Sequence, residues 1–195
     1  MKTAIVVPAN KPIKARTVQS LLDVVSKSYG EFLILIVEGG YTPSEKRNYA
    51  ITQSLNAHCD FTFFVDDDMV FPPETLTTLI SKDKDVVGAL YYKRGLPLEP
   101  VIEFNEGKVS EGVFQCKSIG AGLFLVKNEV LMKMRRPWFD TKVNGYGQTV
   151  VGDSFRFCDL VRDAGFEVWC DPQIEVKHIG DYLYGKTLNL NSKQK

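Results

Sequence analysis

Three consecutive carboxylates, Asp66-Asp67-Asp68, lie between the apolar run Phe61-Thr-Phe-Phe-Val65 and the prolines Pro72 and Pro73. Carboxylates one residue apart on a loop suit Mg²⁺ or Mn²⁺, which take oxygen ligands in octahedral array. Such an ion keeps positions open for water and substrate phosphates, so a short acidic pair suffices when a diphosphate completes the shell. The plainer alternative is an acidic turn that solvates a loop and caps a helix. His178 follows an apolar run far along the chain. It offers a nitrogen ligand, or it is a hydrogen-bonded structural histidine. Asp153 follows a glycine-rich stretch and opens a helix. It is either a proton acceptor or an N-cap, and a capping aspartate is a weak base.

The segments around these residues place them. An apolar run as short as 61–65 has strand length, and its aromatic and β-branched residues suit a buried strand. Unpaired charges are too costly for a dry core, so the carboxylates must face water, a cation or a ligand. Pro72 and Pro73 end the strand and lead into a helix near Glu74. Upstream, 3–7 reads as a strand ending at Pro8, and Val18, Leu21, Leu22 and Val25 repeat at helical spacing. Residues 32–37 read as a second strand closed by Glu38-Gly39-Gly40, and Thr42-Pro43-Ser44-Glu45 has capping-box spacing. With a strand at 86–92, the alternation predicts a parallel sheet with right-handed crossovers. The triplet then sits at the carboxyl edge, where open α/β sheets bind ligands.

After Tyr92 the pattern changes. Residues 101–104, a turn at 105–107 and 109–116 predict an antiparallel excursion. Gly120-Ala121-Gly122 leads into a strand at 123–126, with Asn128 as N-cap of a short helix. Residues 140–152 read as a movable loop, 153–164 as a helix closed by Gly165, 167–170 and 174–178 as strands, and 181–195 as a polar tail.

The chain has 195 residues, the length of one ordinary domain, and Lys plus Arg equals Asp plus Glu at 24 each. That balance gives no electrostatic footprint for nucleic acid or an anionic membrane. Lys46-Arg47 and Arg135-Arg136 read as solvated faces or local anion contacts. The four cysteines form no close CxxC pair and no disulfide framework. No signal peptide is apparent, and no apolar run is long enough to span a bilayer. The expected setting is cytoplasmic.

As an ordered series these segments resemble the metal-dependent, inverting nucleotide-sugar glycosyltransferases of the GT-A fold, family 2 type. Val65-Asp66-Asp67-Asp68-Met69-Val70-Phe71-Pro72-Pro73 resembles the family's DxD stretch, and 120–126 its acceptor-side glycine turn and strand. Gly152-Asp153-Ser154-Phe155-Arg156-Phe157-Cys158, with Ala164-Gly165-Phe166, Asp171-Pro172 and Val176-Lys177-His178-Ile179-Gly180, resembles its catalytic helix and late metal-binding segment. The resemblance spans about residues 3–180.

It implies a single GT-A domain over 1–195: a Rossmann-like, mostly parallel sheet flanked by helices, with a small antiparallel excursion in the C-terminal half. Residues 1–92 would be the nucleotide-binding half and 93–180 the acceptor and catalytic half. Pro8, Asn10 and Glu38 would line the nucleoside pocket, and Arg47 would approach the nucleotide from the side. Asp66 would hold the ribose or support the metal shell, with Asp67 between that task and the metal. Asp68 and His178 would bind Mn²⁺ or Mg²⁺, and Asp153 would be the general base. Many relatives carry an acidic residue just before the catalytic aspartate. Here that place is Gly152, which implies different acceptor contacts.

The implied partner is a nucleoside-diphosphate sugar, with uridine as the base by family habit. The acceptor stays open among a small glycan, a lipid-linked sugar, a protein and a modified nucleic-acid base, and the oligomeric state is not set. Tyr91-Tyr92-Lys93-Arg94 and Trp138 are candidates to line the acceptor side, with core packing as the alternative. Two other functions compete. A sugar-phosphate nucleotidyltransferase would want a glycine-rich phosphate loop after the first strand, where this chain has Pro8-Ala-Asn-Lys. A nucleotide-sugar binding module without turnover would not need Asp66, Asp68, Asp153 and His178 together.

Overall fold

The computed structural model describes residues 1–105 and 111–186. In chain order the elements are β1 (Lys2–Pro8), α1 (Ala15–Lys27), β2 (Glu31–Val37), α2 (Pro43–Asn56), β3 (Phe61–Val65), β4 (Met69–Val70), α3 (Thr75–Ser81) and β5 (Val86–Ala89). There follow β6 (Ile102–Phe104), β7 (Phe114–Ile119), β8 (Leu123–Lys127), α4 (Asn128–Lys133), β9 (Lys142–Val143) and β10 (Thr149–Val151). The last are α5 (Asp153–Asp163), β11 (Val168–Asp171), β12 (Lys177–Ile179) and β13 (Leu183–Tyr184).

The central sheet runs β2-β1-β3-β8-β5-β11-β7-β6. β1 pairs parallel with β2 and β3, and β5 parallel with β11. β8 enters reversed between β3 and β5, and β7 and β6 extend the far side antiparallel. This is the expected Rossmann-like GT-A architecture.

Strand alternation sorts the core into two layers. Ala4, Val6, Phe64, Phe124 and Val126 pack with Ala50 and Ile51 of α2, Leu131 of α4 and Phe157 and Leu160 of α5. The interleaved Ile5, Phe63, Val65, Leu123 and Leu125 pack with Val24 of α1 and Leu76 and Leu79 of α3. Each fully buried large side chain contributes about 1.5–3 kcal/mol, so the sheet is held from both faces. Burial pushes the Cys116 and Cys158 thiols up to about 12, which keeps them protonated and poor nucleophiles.

Several local expectations are corrected. α1 buries Thr17, Ser20 and Val24, while Val18 and Leu22 are exposed. Leu21 and Val25 of the expected stripe do pack, partly buried, on the second layer, and Ser20 Oγ is buried beside them because it accepts from the Phe71 amide at 3.2 Å, a contact that apolar periodicity does not register. Asn128 is not the cap of α4; Lys127 is. The Asn128 side chain is buried, donating to Ser54 Oγ and Cys59 O and accepting from Thr62 Oγ1. Lys46 and Arg47 are buried, not solvated. Residues 140–152 contain the hairpin β9–β10. Part of the expected tail is ordered, since β13 pairs with β12. The expected turn and strand start at 106–110, and the tail at 187–195, lie outside the described residues. Among the described residues, no helix is long and apolar enough to cross a membrane.

Candidate active site

The acidic triplet leaves β3 at the carboxyl edge, and each carboxylate has a different task. Asp67 is a fastener. Its Oδ2 accepts the amides of Asn10 at 2.8 Å and Lys11 at 3.0 Å, and its carbonyl accepts the Lys14 amide at 3.0 Å. The loop after β1 is thereby pinned against the loop after β3. Lys46 Nζ adds to this, donating to Ala9 O at 2.6 Å and Asn10 Oδ1 at 2.9 Å. Pro8 is the buried last residue of β1, and Glu38 is exposed just beyond β2. The Ala9 amide donates to Val37 O, so these two strand ends sit side by side.

Asp66 joins a different network. Arg47 of α2, whose side chain is 6% exposed, donates from Nη2 to Asp66 Oδ1 and from Nη1 to Asp153 Oδ2, each at 2.7 Å. One guanidinium therefore bridges residues that are 87 positions apart in the chain (153 − 66). The capping box at Thr42 and Glu45 fixes the start of α2, and Ser44 Oγ in that first turn donates to Asp153 Oδ2 at 3.3 Å. Asp153 Oδ1 accepts from the Ser154 amide and hydroxyl. Asp153 is not the N-cap of α5; Gly152 is. The carboxylate is thus spared for the site. Burial alone pulls Arg47 down, and the charges of Asp66 and Asp153 more than reverse it, so the bridge stays cationic.

Asp68 reaches the opposite way. β4 pairs with β12 so that His178 lies opposite Met69, and the Ile179 amide donates to Asp68 O at 2.8 Å. His178 Nε2 comes within 3.1 Å of Asp68 Oδ1, and Arg94 Nη1 donates to Asp68 Oδ2 at 2.9 Å. His178 Nδ1 lies 3.0 Å from Tyr92 O, an acceptor only, so Nδ1 carries a hydrogen and Nε2 is turned to Asp68. Burial pushes Asp68 up, but the His178 hydrogen bond, with the charges of His178, Arg94 and Lys11, outweighs it and leaves Asp68 lowered. Burial, with the charges of Asp68 and Asp67, leaves Asp66 raised despite Arg47. Neighbouring carboxylates are thus pushed apart, and Asp66 is the first of the two to lose its charge as pH falls.

Does this donor set fit a metal? Among the described residues, no group of three or more His, Cys, Asp and Glu side chains is arranged to hold one. Asp68 and His178 offer one oxygen and one nitrogen. Adjacent corners of an octahedral ion with bonds of about 2.1 Å lie about 3 Å apart, which matches the 3.1 Å between Oδ1 and Nε2. The same 3.1 Å is the length of the hydrogen bond the pair makes, so the two atoms are spaced as two corners of an octahedral ion would be, and every other ligand would have to come from phosphate and water.

The glycine turn supports this site from beneath. The Gly122 carbonyl accepts the Asp66 amide at 2.9 Å, and the Gly122 amide donates to Tyr91 Oη at 3.2 Å. Tyr91 is buried and sets its ring edge-to-face with His178 at 5.7 Å. Trp138 is also buried, donating to Leu131 O at 2.8 Å. Neither lines an open acceptor surface as the sequence reading had allowed. A Cβ at Gly120 would overlap the Tyr91 hydroxyl and lie 2.7 Å from Val101 Cγ1. Overpacking of this kind costs about 1–3 kcal/mol. Gly120→Ala is therefore expected to lower the melting temperature by several degrees; an unchanged melt would show that Tyr91 does not fill that space.

Sequence reasoning missed Ser44 and Lys46 as contributors, and it placed Arg94 on the acceptor side, not at Asp68. Ser44 sat inside a motif read only as a helix cap. Lys46 and Arg94 carried no local signal, because their partners are 36 and 26 residues away.

No protein-family model and no curated protein matches this sequence. Solved structures do match in fold. A197 from STIV superposes with a TM-score of 0.64 at 18% identity, over 100% of this chain and 98% of that one. GalNAc-T7, solved with UDP, GalNAc and Mn²⁺, gives 0.55 at 12% identity over 92% of this chain and 44% of its own. The inositol-1-phosphate CTP transferase from T. maritima gives 0.51 at 15% identity, over 92% and 89%. These likenesses show the fold alone.

Proposed function

We propose that this protein is an inverting glycosyltransferase that moves a sugar from a nucleoside-diphosphate sugar, with uridine as the favoured base, to an acceptor hydroxyl. The observation that carries this reading is the convergence of Asp66, Asp68, Arg47, Asp153 and His178 at one sheet edge. Asp68 and His178 would hold Mn²⁺ or Mg²⁺, which when bound supplies Lewis-acid stabilisation of charge on the departing diphosphate. Pro8, Asn10 and Glu38 would line the nucleoside side, with Asn10 held in place by Asp67 and Lys46. Asp66, oriented by Arg47, faces the ribose.

Asp153 removes the acceptor hydroxyl's proton as that oxygen attacks the anomeric carbon from the face opposite the leaving group. Attack from that face inverts the centre. Arg47, Ser44 and Ser154 hold the carboxylate in one orientation, which would spare the base a search once an acceptor is bound. Residues 1–92 would form the nucleotide-binding half and 93–180 the acceptor and catalytic half, which lends His178 to the metal; the acceptor class is a glycan, lipid-linked sugar, protein or modified base.

Release of uridine diphosphate from uridine diphosphate sugars, with and without Mn²⁺, tests the reading. We expect Asp68→Asn or a chelator to abolish metal-stimulated release; full release under either condition would refute a role for metal held by Asp68. The nucleotidyltransferase reading is favoured by the T. maritima likeness, and pyrophosphate from a nucleoside triphosphate and a sugar phosphate would establish it instead. Nucleotide-sugar binding without any turnover would establish the binding-module alternative.

A further inference from the structure

Both oxygens of Asp68 are already engaged: Oδ1 by His178 and Oδ2 by Arg94. The two partners differ in how firmly they are placed. The His178 side chain is mostly buried, tied through Nδ1 to Tyr92 O and held by the β4–β12 pairing. The Arg94 side chain is 48% exposed, whereas the Asp68 side chain it reaches is only 9% exposed. Arg94 extends inward from the surface loop between Tyr92 and Pro100, beside Gly95, where a Cβ would meet nothing within 4 Å. Its stem packs close to Gly180, whose added Cβ would lie 3.3 Å from Arg94 Cγ and 3.2 Å from Cδ. The stem runs alongside Gly180, and the guanidinium lies beyond it.

A divalent ion on Asp68 would face this guanidinium across a single carboxylate, and like charges that close repel strongly. A diphosphate brings the negative charge that reconciles them. Its oxygens match the planar fork of an arginine, which binds phosphate through paired N–H donors. We propose that Arg94 is a donor-binding residue with two positions: it neutralises Asp68 in the empty site and turns to the donor's diphosphate when a divalent ion takes Asp68. This rests on the reading of a metal-assisted, diphosphate-bearing donor given above, and names a phosphate ligand in that site.

The two positions make the arginine compete with metal and cooperate with nucleotide, so its removal should move two affinities in opposite directions. Calorimetric titration of the full chain with Mn²⁺ alone, and with uridine diphosphate at saturating Mn²⁺, reads both. Arg94→Ala is expected to bind Mn²⁺ alone several-fold more tightly and uridine diphosphate about tenfold more weakly, the loss of a charge-assisted phosphate contact. Arg94→Lys keeps the charge without the fork, so it should retain the competition with Mn²⁺ and recover only part of the nucleotide affinity. An arginine that merely braced the loop would weaken both ligands and lower the melting temperature. Unchanged nucleotide affinity, or weaker Mn²⁺ binding, in Arg94→Ala would overturn the proposal while leaving the glycosyltransferase reading intact. A wild-type chain that binds neither Mn²⁺ nor uridine diphosphate would overturn both.

Discussion

Asp153→Asn is expected to abolish sugar transfer while leaving the affinity for uridine diphosphate unchanged. Asparagine keeps one oxygen that accepts from Arg47 Nη1, now 2.7 Å from Asp153 Oδ2, while its amide nitrogen takes the place of Oδ1 and gives up the bond from the Ser154 amide. What is lost is a group able to take a proton. Positioned bases contribute about 10²–10⁴-fold in rate, and the fall in turnover should lie in that range. Parallel measurements of turnover and nucleotide binding check it. Undiminished transfer would remove Asp153 from the mechanism; a matching loss of nucleotide affinity would make it a donor-side residue.

Arg47→Ala is expected to be the most destabilising substitution in the site. It strands Asp66 and Asp153 without their shared cation, and breaking a buried pair from one side costs about 3–5 kcal/mol. For a chain of this size that corresponds to a fall of about 6–20 °C in melting temperature. Arg47 also lies over the Phe139 ring, with its guanidinium carbon 5.5 Å from the ring centroid, so truncation removes packing as well as charge. Arg47→Lys separates the two losses. A lysine can hold one carboxylate but not bridge both as a fork does, so it should recover part of the stability and little of the turnover. An Arg47→Ala protein that melts with the wild type would show that the bridge does not hold the two halves of the site together.

The family resemblance put Arg47 at the site, but its bridge between Asp66 and Asp153 was illegible in the sequence. Arg47 stands beside Lys46 on a helix, and such a pair reads as solvated. Both are buried because the helix faces the loop ends of β1 and β3, where backbone carbonyls and carboxylates wait for cations. The same blindness affected α1 and Asn128. Periodicity reports that a helix has an apolar side, but not which polar groups, such as the Ser20 hydroxyl, that packed side also takes in. Aromatic residues were legible as apolar and no further: Tyr91 and Trp138 serve as struts whose polar tips find partners inside.

What the sequence alone settled was local and repetitive. Strand lengths, the Thr42–Glu45 capping box, the glycine closing α5 and the alternation of elements follow from short-range sterics, so they are written in neighbouring residues. The mostly parallel sheet follows from them, and with it the placement of Asp66, Asp67 and Asp68 at its carboxyl edge. Which carboxylate does what was decided only by the fold. β8 entering between β3 and β5 sets Gly122 under Asp66, β4 pairing with β12 sets His178 against Asp68, and α2 lends one arginine to Asp66 and Asp153. Those assignments depend on groups distant in the chain meeting at ångström range, where charge and hydrogen bonding act and sequence spacing carries no information.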